Sequence, residues 1–245
     1  MPRFFVENRH TDGDIISIEG DDARHIARAL RMAVGDEVTV CDGSGEAFEC
    51  ELIKIRDELC ECLVLRRAEA TSESPISITL FMAFPKGDKL ETVIQKAVEL
   101  GVSRVVPFES SRCIKRPKAE KIDKQTQRYT RIAHEAAKQC GRAILPTVSE
   151  PLGFSEMLDE AAKCELTLFC YEGDGAMSLR KLLEARSAPP KTLAVIVGSE
   201  GGFSETEAEM CASRGFATVN LGPRIMRCET APSYVLSSVS YRFEL

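Results

Sequence analysis

The sequence predicts an α/β protein: a parallel sheet with helices on both faces, preceded by a small β-rich domain. Two observations carry this. From residue 76 onward, short apolar runs alternate with amphipathic helical stretches, the pattern of a parallel sheet with right-handed crossovers. Before residue 70, the apolar residues follow a two-residue period interrupted by glycine turns. A polar linker at 70–75 separates the two patterns, which gives expected domains at 1–72 and 73–245.

In the first domain, residues 21–32 read as a helix. Asp21 or Asp22 can cap it, and Ile26, Ala29 and Leu30 make its apolar face. Residues 38–41, the turn Asp42-Gly43-Ser44-Gly45 and residues 46–55 read as a hairpin. Its alternation at Phe48, Cys50 and Leu52 switches face at Ile53 and Ile55, the mark of a bulge. Residues 59–65 add a strand. In the second domain, strands are expected at 76–81, 104–108, 166–170, 193–197 and 217–221. A helix at 88–100 places Leu90, Val93, Ile94, Ala97 and Val98 on one face and stops at Gly101. Others are expected at about 120–140, 178–186, 204–214 and 230–242. Asp88 with Glu91, and Ser204 with Glu207, have capping-box spacing, and Ser178 opens the helix at 178–186. Pro232 is tolerated because it falls in the first turn of the last helix.

Composition excludes several classes. The 245 residues are 44% hydrophobic and 29% charged, an ordinary globular balance. No apolar run approaches the roughly 18–20 residues of a membrane span, and the N-terminus lacks a signal-like stretch, so a cytoplasmic protein is expected. Ten cysteines are scattered without any CxxC, and the three histidines lack ligand spacing. Buried hydrophobic cysteines and no metal are expected. The net charge of −6 argues against a simple nucleic-acid binder. Its distribution is uneven: residues 1–72 hold 9 Lys/Arg against 16 Asp/Glu, residues 86–142 hold 14 against 7. The basic segment reads either as a solvated helix face or as one phosphate-facing side.

Ligands in open α/β sheets bind beyond the carboxyl ends of strands, and three expected strand ends carry unusual sequences. They are Tyr171-Glu172-Gly173-Asp174-Gly175, Gly198-Ser199-Glu200-Gly201-Gly202-Phe203, and the run from Gly222 to Thr230. Glycines 198, 201 and 202 permit positive φ and close approach of a ligand. Their spacing is neither GxGxxG nor a P-loop, and a plain tight turn is the competing reading. Arg224 and Arg227 flank Ile225 and Met226 just before a helix start, a setting that suits an anion, a phosphate or a developing negative charge. Glu229 and Thr230 read equally well as helix caps.

The runs GSEGGFSETE (198–207) and LGPRIMRCETA (221–231) carry a family resemblance. So do KGDKLETVIQKAVELGVSRVVPFESSRCI (86–114), RYTRIAHEAAKQCGRAILP (128–146) and HIARALRMAVGDEVTVCDGSG (25–45). Together they resemble the RsmE family of the SPOUT superfamily over nearly the whole chain. The chain departs from that pattern at Ser199, where proline is commoner, and at Pro232 and Tyr234. The resemblance implies a PUA-like β-barrel that binds RNA, and a SPOUT domain with a C-terminal trefoil knot. It also implies a homodimer that uses S-adenosyl-L-methionine to methylate uridine N3 in small-subunit (16S) ribosomal RNA, within the small ribosomal subunit.

By similarity, the cofactor is expected at Tyr171, Glu172, Gly198, Ser199, Glu200, Gly201, Gly202, Leu221, Gly222, Ile225 and Met226. Loss of the N3 proton puts charge on O2 and O4, which Arg224 or Arg227 would stabilise. Glu200, Glu229 or water would be the base. RNA contacts are expected from Arg24, Arg28, Arg31, Lys86, Arg112, Lys115, Arg116, Arg128, Arg131 and Arg142, with Lys118 extending the patch. Rival readings are a ribose 2′-O-methyltransferase of the same superfamily, acting on ribosomal or transfer RNA, and a non-catalytic ribosome-assembly factor with an idle cofactor pocket. The missing GxGxxG argues against a nicotinamide-dependent oxidoreductase.

Overall fold

The computed structural model describes residues 1–6, 11–12, 14–69, 72–114, 116–117, 119–173 and 175–245. Lys115 and Lys118 of the expected basic patch, Asp174, and residues 70–71 of the expected linker lie outside the described residues. The chain forms two compact units: Met1–Glu73 with Ala137–Leu145, and Ser74–Ala136 with Pro146–Leu245.

The first unit holds β1 (Arg3–Phe5), β2 (Thr11–Asp12), β3 (Ile15–Glu19), β4 (Glu37–Cys41), β5 (Ala47–Ile55) and β6 (Leu59–Ala68). They form one sheet in the order β1-β4-β5-β6-β3-β2. Bulges shift the β5–β6 register between Glu49 and Cys50 and between Leu52 and Lys54, which bends the strands around a core of Phe4, Ile16, Ile18, Ile26, Val38, Val40 and Leu52. The Asp42 carboxylate accepts the N–H groups of Ser44 (2.8 Å) and Glu46 (3.1 Å), setting the hairpin turn.

The expected helix at 21–32 is shorter and wound differently. α1 (Gly20–Arg24) passes into a π-turn at His25–Ala29, where the Leu30 N–H reaches the His25 carbonyl at 2.9 Å. The wider turn changes the phase of the helix. Ala23 and Ile26 are buried, whereas Ala29 and Leu30 are exposed. Asp21 pairs with Arg24, and Asp22 accepts the Lys138 ammonium at 2.8 Å, so neither caps the helix. Arg31 follows with φ 52°, the one non-glycine residue with positive φ among those described.

Residues 137–145 complete this unit. The Leu145 N–H bonds to the Gly43 carbonyl at 3.0 Å, and Ala143 packs on Cys41 and Ala47. Arg142, expected to contact RNA, is only 3% exposed. One Glu73 oxygen accepts its Nε (3.1 Å) and Nη2 (2.9 Å), and the other accepts the N–H groups of Ala143 and Ile144. A guanidinium so enclosed is part of the interior and is withdrawn from the RNA-facing set.

The second unit contains β7 (Ser77–Ala83), β8 (Arg104–Phe108), β9 (Thr147–Val148), β10 (Leu166–Cys170), β11 (Met177–Ser178), β12 (Thr192–Val197) and β13 (Ala217–Asn220). Their order is β11-β13-β10-β12-β7-β8-β9, and every neighbouring pair is parallel. Ile78, Leu80, Phe81, Met82 and Ala83 are all buried, as expected of a strand covered on both faces. The helices are α2 (Lys89–Glu99), α3 (Ile122–Cys140, which from Ala137 onward belongs to the first unit), α4 (Phe154–Ala161), α5 (Leu179–Glu184), α6 (Glu205–Ser213) and α7 (Thr230–Phe243). Sequence patterning did not anticipate α4. The apolar face expected for α2 is buried residue for residue. Its expected capping box does not form: Asp88 makes no side-chain cap bond, and Glu91 pairs with Arg128 at 2.9 Å. The Ser204–Glu207 box does form. No helix among the described residues is long and apolar enough to cross a membrane.

Candidate cofactor cleft and active site

Strands β13, β10, β12, β7 and β8 are neighbours that end nearly level. Val219 lies beside Cys170, Phe169 beside Ile196, Val197 beside Met82, and Ala83 beside Phe108. The segments leaving their carboxyl ends converge on a cleft of about 680 Å³, the size of a small-ligand site at the position the topology favours. Tyr171 and Glu172 enter it from β10, Gly198 to Phe203 from β12, and Leu221, Ile225, Met226 and Arg227 from β13. Lys89 arrives from the β7 side and Arg112 from the β8 side. All expected cofactor residues line the cleft except Gly222, which faces a second groove.

The loop after β12 folds back tightly. The Gly202 N–H returns to the Ser199 carbonyl at 2.9 Å, with Gly202 at φ 63°. A side chain at Gly198 would place its Cβ 3.0 Å from the Phe203 ring, and one at Gly201 would stand 3.0 Å from the Arg112 backbone oxygen. Arg112 closes that contact by donating Nη1 to the Gly201 carbonyl at 3.2 Å. Beneath the loop, the Phe203 ring packs against Phe169 (4.7 Å between centroids) and Phe108 (6.3 Å), and Phe169 stacks on Tyr171 at 5.5 Å. Glu207 is 6% exposed and does more than cap α6. It accepts the Ser111 N–H (2.7 Å) and Oγ (2.9 Å), fastening the loop after β8 to the loop after β12.

Charge in the cleft is organised around Lys89, a residue the sequence reading did not single out. Its ammonium contacts Glu200 at 2.9 Å and Glu229 at 3.2 Å. Burial is the largest single influence on Glu200 and opposes its ionisation. Hydrogen bonds from Lys89, its own backbone N–H and the Lys86 N–H outweigh burial and hold the carboxyl below its ordinary range. Glu229 is also lowered, first by its own backbone N–H, against burial, and further by the Cys228 thiol and Lys89. Both carboxylates therefore remain ionised at neutral pH and are weak proton acceptors. The Cys228 thiol, 3.2 Å from Glu229, is pushed up to about 12 by burial and by that contact.

Arg227 lines the cleft and is exposed, with no ion pair to its guanidinium among the described residues. Arg224 lies in the same loop but outside the cleft and is likewise exposed. The other expected basic residues differ in availability. Arg24 is held by Asp21 and Glu58, Arg28 by Asp57, and Arg128 by Glu91, while Arg116 stands 3.9 Å from Glu109. Arg31 is exposed, and neither it nor Arg131 has an ion pair among the described residues. Lys86 bonds to Glu200 through its backbone N–H. Among the described residues, no three His, Cys, Asp or Glu side chains gather as a metal site.

A family model described as an RNA methyltransferase domain matches residues 72–240, and one described as an RNA methyltransferase PUA domain matches residues 18–65. Ribosomal RNA small subunit methyltransferase E of Bacillus subtilis is 34% identical, over 100% of this chain and 98% of that protein. The Aquifex aeolicus protein of the same name is 31% identical over 97% and 98%. Among solved structures, ribosomal RNA small subunit methyltransferase E from Neisseria gonorrhoeae, bound to S-adenosyl methionine, matches with TM-score 0.87. That match has 30% identity and covers 99% of this chain and 98% of that one. A Legionella pneumophila putative methyltransferase in complex with SAM matches with TM-score 0.86 at 29% identity, covering 98% and 96%. The fold and the matched domains are those of an RNA methyltransferase with a PUA domain. The chain belongs to the ribosomal RNA small subunit methyltransferase E family.

Proposed function

We propose that the protein methylates N3 of a uridine in small-subunit ribosomal RNA, with S-adenosyl-L-methionine bound in the strand-end cleft. The convergence of Tyr171, the Gly198–Phe203 turn and the Leu221–Glu229 segment on one cleft carries the reading, in a chain of this family. The residues fit the cofactor. The glycine backbone allows close approach, Leu221, Ile225 and Met226 offer apolar surface to a flat base, and Glu172 suits a cation. The cofactor supplies an electrophilic methyl group, and the protein's share is orientation and electrostatics. Arg227, at the cleft and without an ion pair among the described residues, suits the charge that develops on uridine O2 and O4 as the N3 proton leaves. Glu200 and Glu229, already held as ions, favour departure of that proton to water.

The reading extends to a C-terminal trefoil knot, a cytoplasmic location and a homodimer. An apolar groove of about 940 Å³ along α5 and α7, with Tyr234 and Tyr241 exposed beside it, supports a subunit interface there. The first unit, with Arg31, and Arg131 of α3 are assigned to RNA. The decisive experiment incubates the protein with labelled S-adenosyl-L-methionine and undermethylated small ribosomal subunits, then identifies the labelled nucleoside by mass spectrometry. N3-methyluridine is expected. A ribose-methylated nucleoside would return the 2′-O-methyltransferase reading, and cofactor binding without any product the assembly-factor reading.

A further inference from the structure

We infer that Lys89 is a positioning residue whose ammonium clamps the two cofactor-cleft loops together, a clamp that a proton can partly replace. This rests on the cleft being the S-adenosyl-L-methionine site.

Lys89 breaks a local rule. It is the first residue of α2, where a cation faces the positive end of the helix dipole, and Asp88 before it makes no side-chain cap bond. A residue poorly suited to its own helix but satisfied by distant partners points to a functional constraint. Those partners are Glu200, on the loop after β12, and Glu229, at the start of α7. The three side chains are 31%, 29% and 24% exposed, so their charges are only partly screened by water.

The other groups nearby do not duplicate this contact. Among the described residues, the Lys86 backbone N–H donates to Glu200, the Cys228 thiol donates to Glu229, and Arg112 is turned to the Gly201 carbonyl. Glu172 and Arg227 line the same cleft without pairing to either carboxylate among the described residues. Two carboxylates held against one ammonium lie close enough to repel strongly once it is gone. At high pH the loops would then separate. At lower pH one carboxyl would take up a proton and share it with the other, closing them again.

The test is calorimetric titration of S-adenosyl-L-methionine into the full-length protein and its variants, at several pH values. Wild type should bind with nearly constant affinity. Lys89→Met should bind roughly tenfold more weakly near pH 8.5, a loss of about 1.4 kcal/mol, and recover most of that near pH 6. Lys89→Arg should restore the wild-type profile. Lys89→Met combined with Glu229→Gln, which removes the repulsion, should regain affinity at the higher pH. In turnover, KM for the cofactor should rise more than kcat falls. An equal loss at every pH that persists in the double variant would overturn the clamp, as would no loss at all. If wild type itself fails to bind the cofactor, the reading of the cleft falls instead.

Discussion

Arg142 and Arg227 both sit in runs that resemble the family, yet their surroundings give them opposite tasks. Arg227 is exposed at the cleft, and its guanidinium has no ion pair among the described residues. Arg227→Ala should lower kcat by roughly 10²–10³-fold, the scale seen on removing one oxyanion-stabilising donor. Cofactor affinity should stay unchanged, which single-turnover kinetics and titration would separate. Arg142 is enclosed with Glu73, so Arg142→Ala should destabilise the protein by about 3–5 kcal/mol, measured by chemical denaturation. Nothing near Arg142 in sequence reveals this, because its counter-ion lies 69 positions earlier. The cysteines were more legible: their scatter suggested buried apolar side chains, and seven of the ten are buried. Burial pushes the thiols of Cys62 and Cys211 up to about 12. Only the thiolate reacts with alkylating agents, so both should stay unmodified near neutral pH until the protein is denatured, which peptide mass spectrometry would show.

Strands declare themselves through apolar runs, and β8 and β10 were readable to the residue. The three loops after β10, β12 and β13 were readable as well, since glycines and arginines directly after a strand are conspicuous. Lys89 was not singled out, and Arg112 was expected at RNA rather than at the cleft, because their place there depends on β12, β7 and β8 being neighbours, an order that no local pattern encodes. The short β1, β9 and β11 owe their existence to pairing partners elsewhere in the chain. The π-turn after α1 escaped notice because a 3.6-residue period was assumed. At the loop after β12, Gly201→Val would press a side chain on the Arg112 backbone. It should cost at least roughly tenfold in cofactor affinity, by titration, while melting temperature changes little. Ser204→Ala, which removes the α6 cap, should instead cost about 1 kcal/mol of stability.

For the molecule as a whole, the net charge is −6, and Arg24, Arg28, Arg128 and Arg142 are already paired with carboxylates, so in the proposed reading RNA contact falls to a few uncompensated cations. Arg31→Ala or Arg131→Ala should each reduce the slope of log binding constant against log salt by about one. Arg24→Ala should change the slope less, since Arg24 already has protein partners. Filter binding across a salt series would decide. Placing a charge on the α5–α7 groove, as in Tyr241→Asp, should give monomers in sedimentation if that face is the subunit interface.

Glu73 and the strip at 137–145 have a further consequence for how the protein is made. The first unit needs residues 137–145 to cover Cys41 and Ala47 and to supply Arg142 to Glu73. A chain synthesised from its N-terminus therefore cannot finish its first domain when that domain's strands have all emerged. It must wait while more than sixty intervening residues, β7, β8 and α2 among them, leave the ribosome. A fragment ending near residue 73 would be stranded at that stage, with an acidic side chain and an apolar strip uncovered.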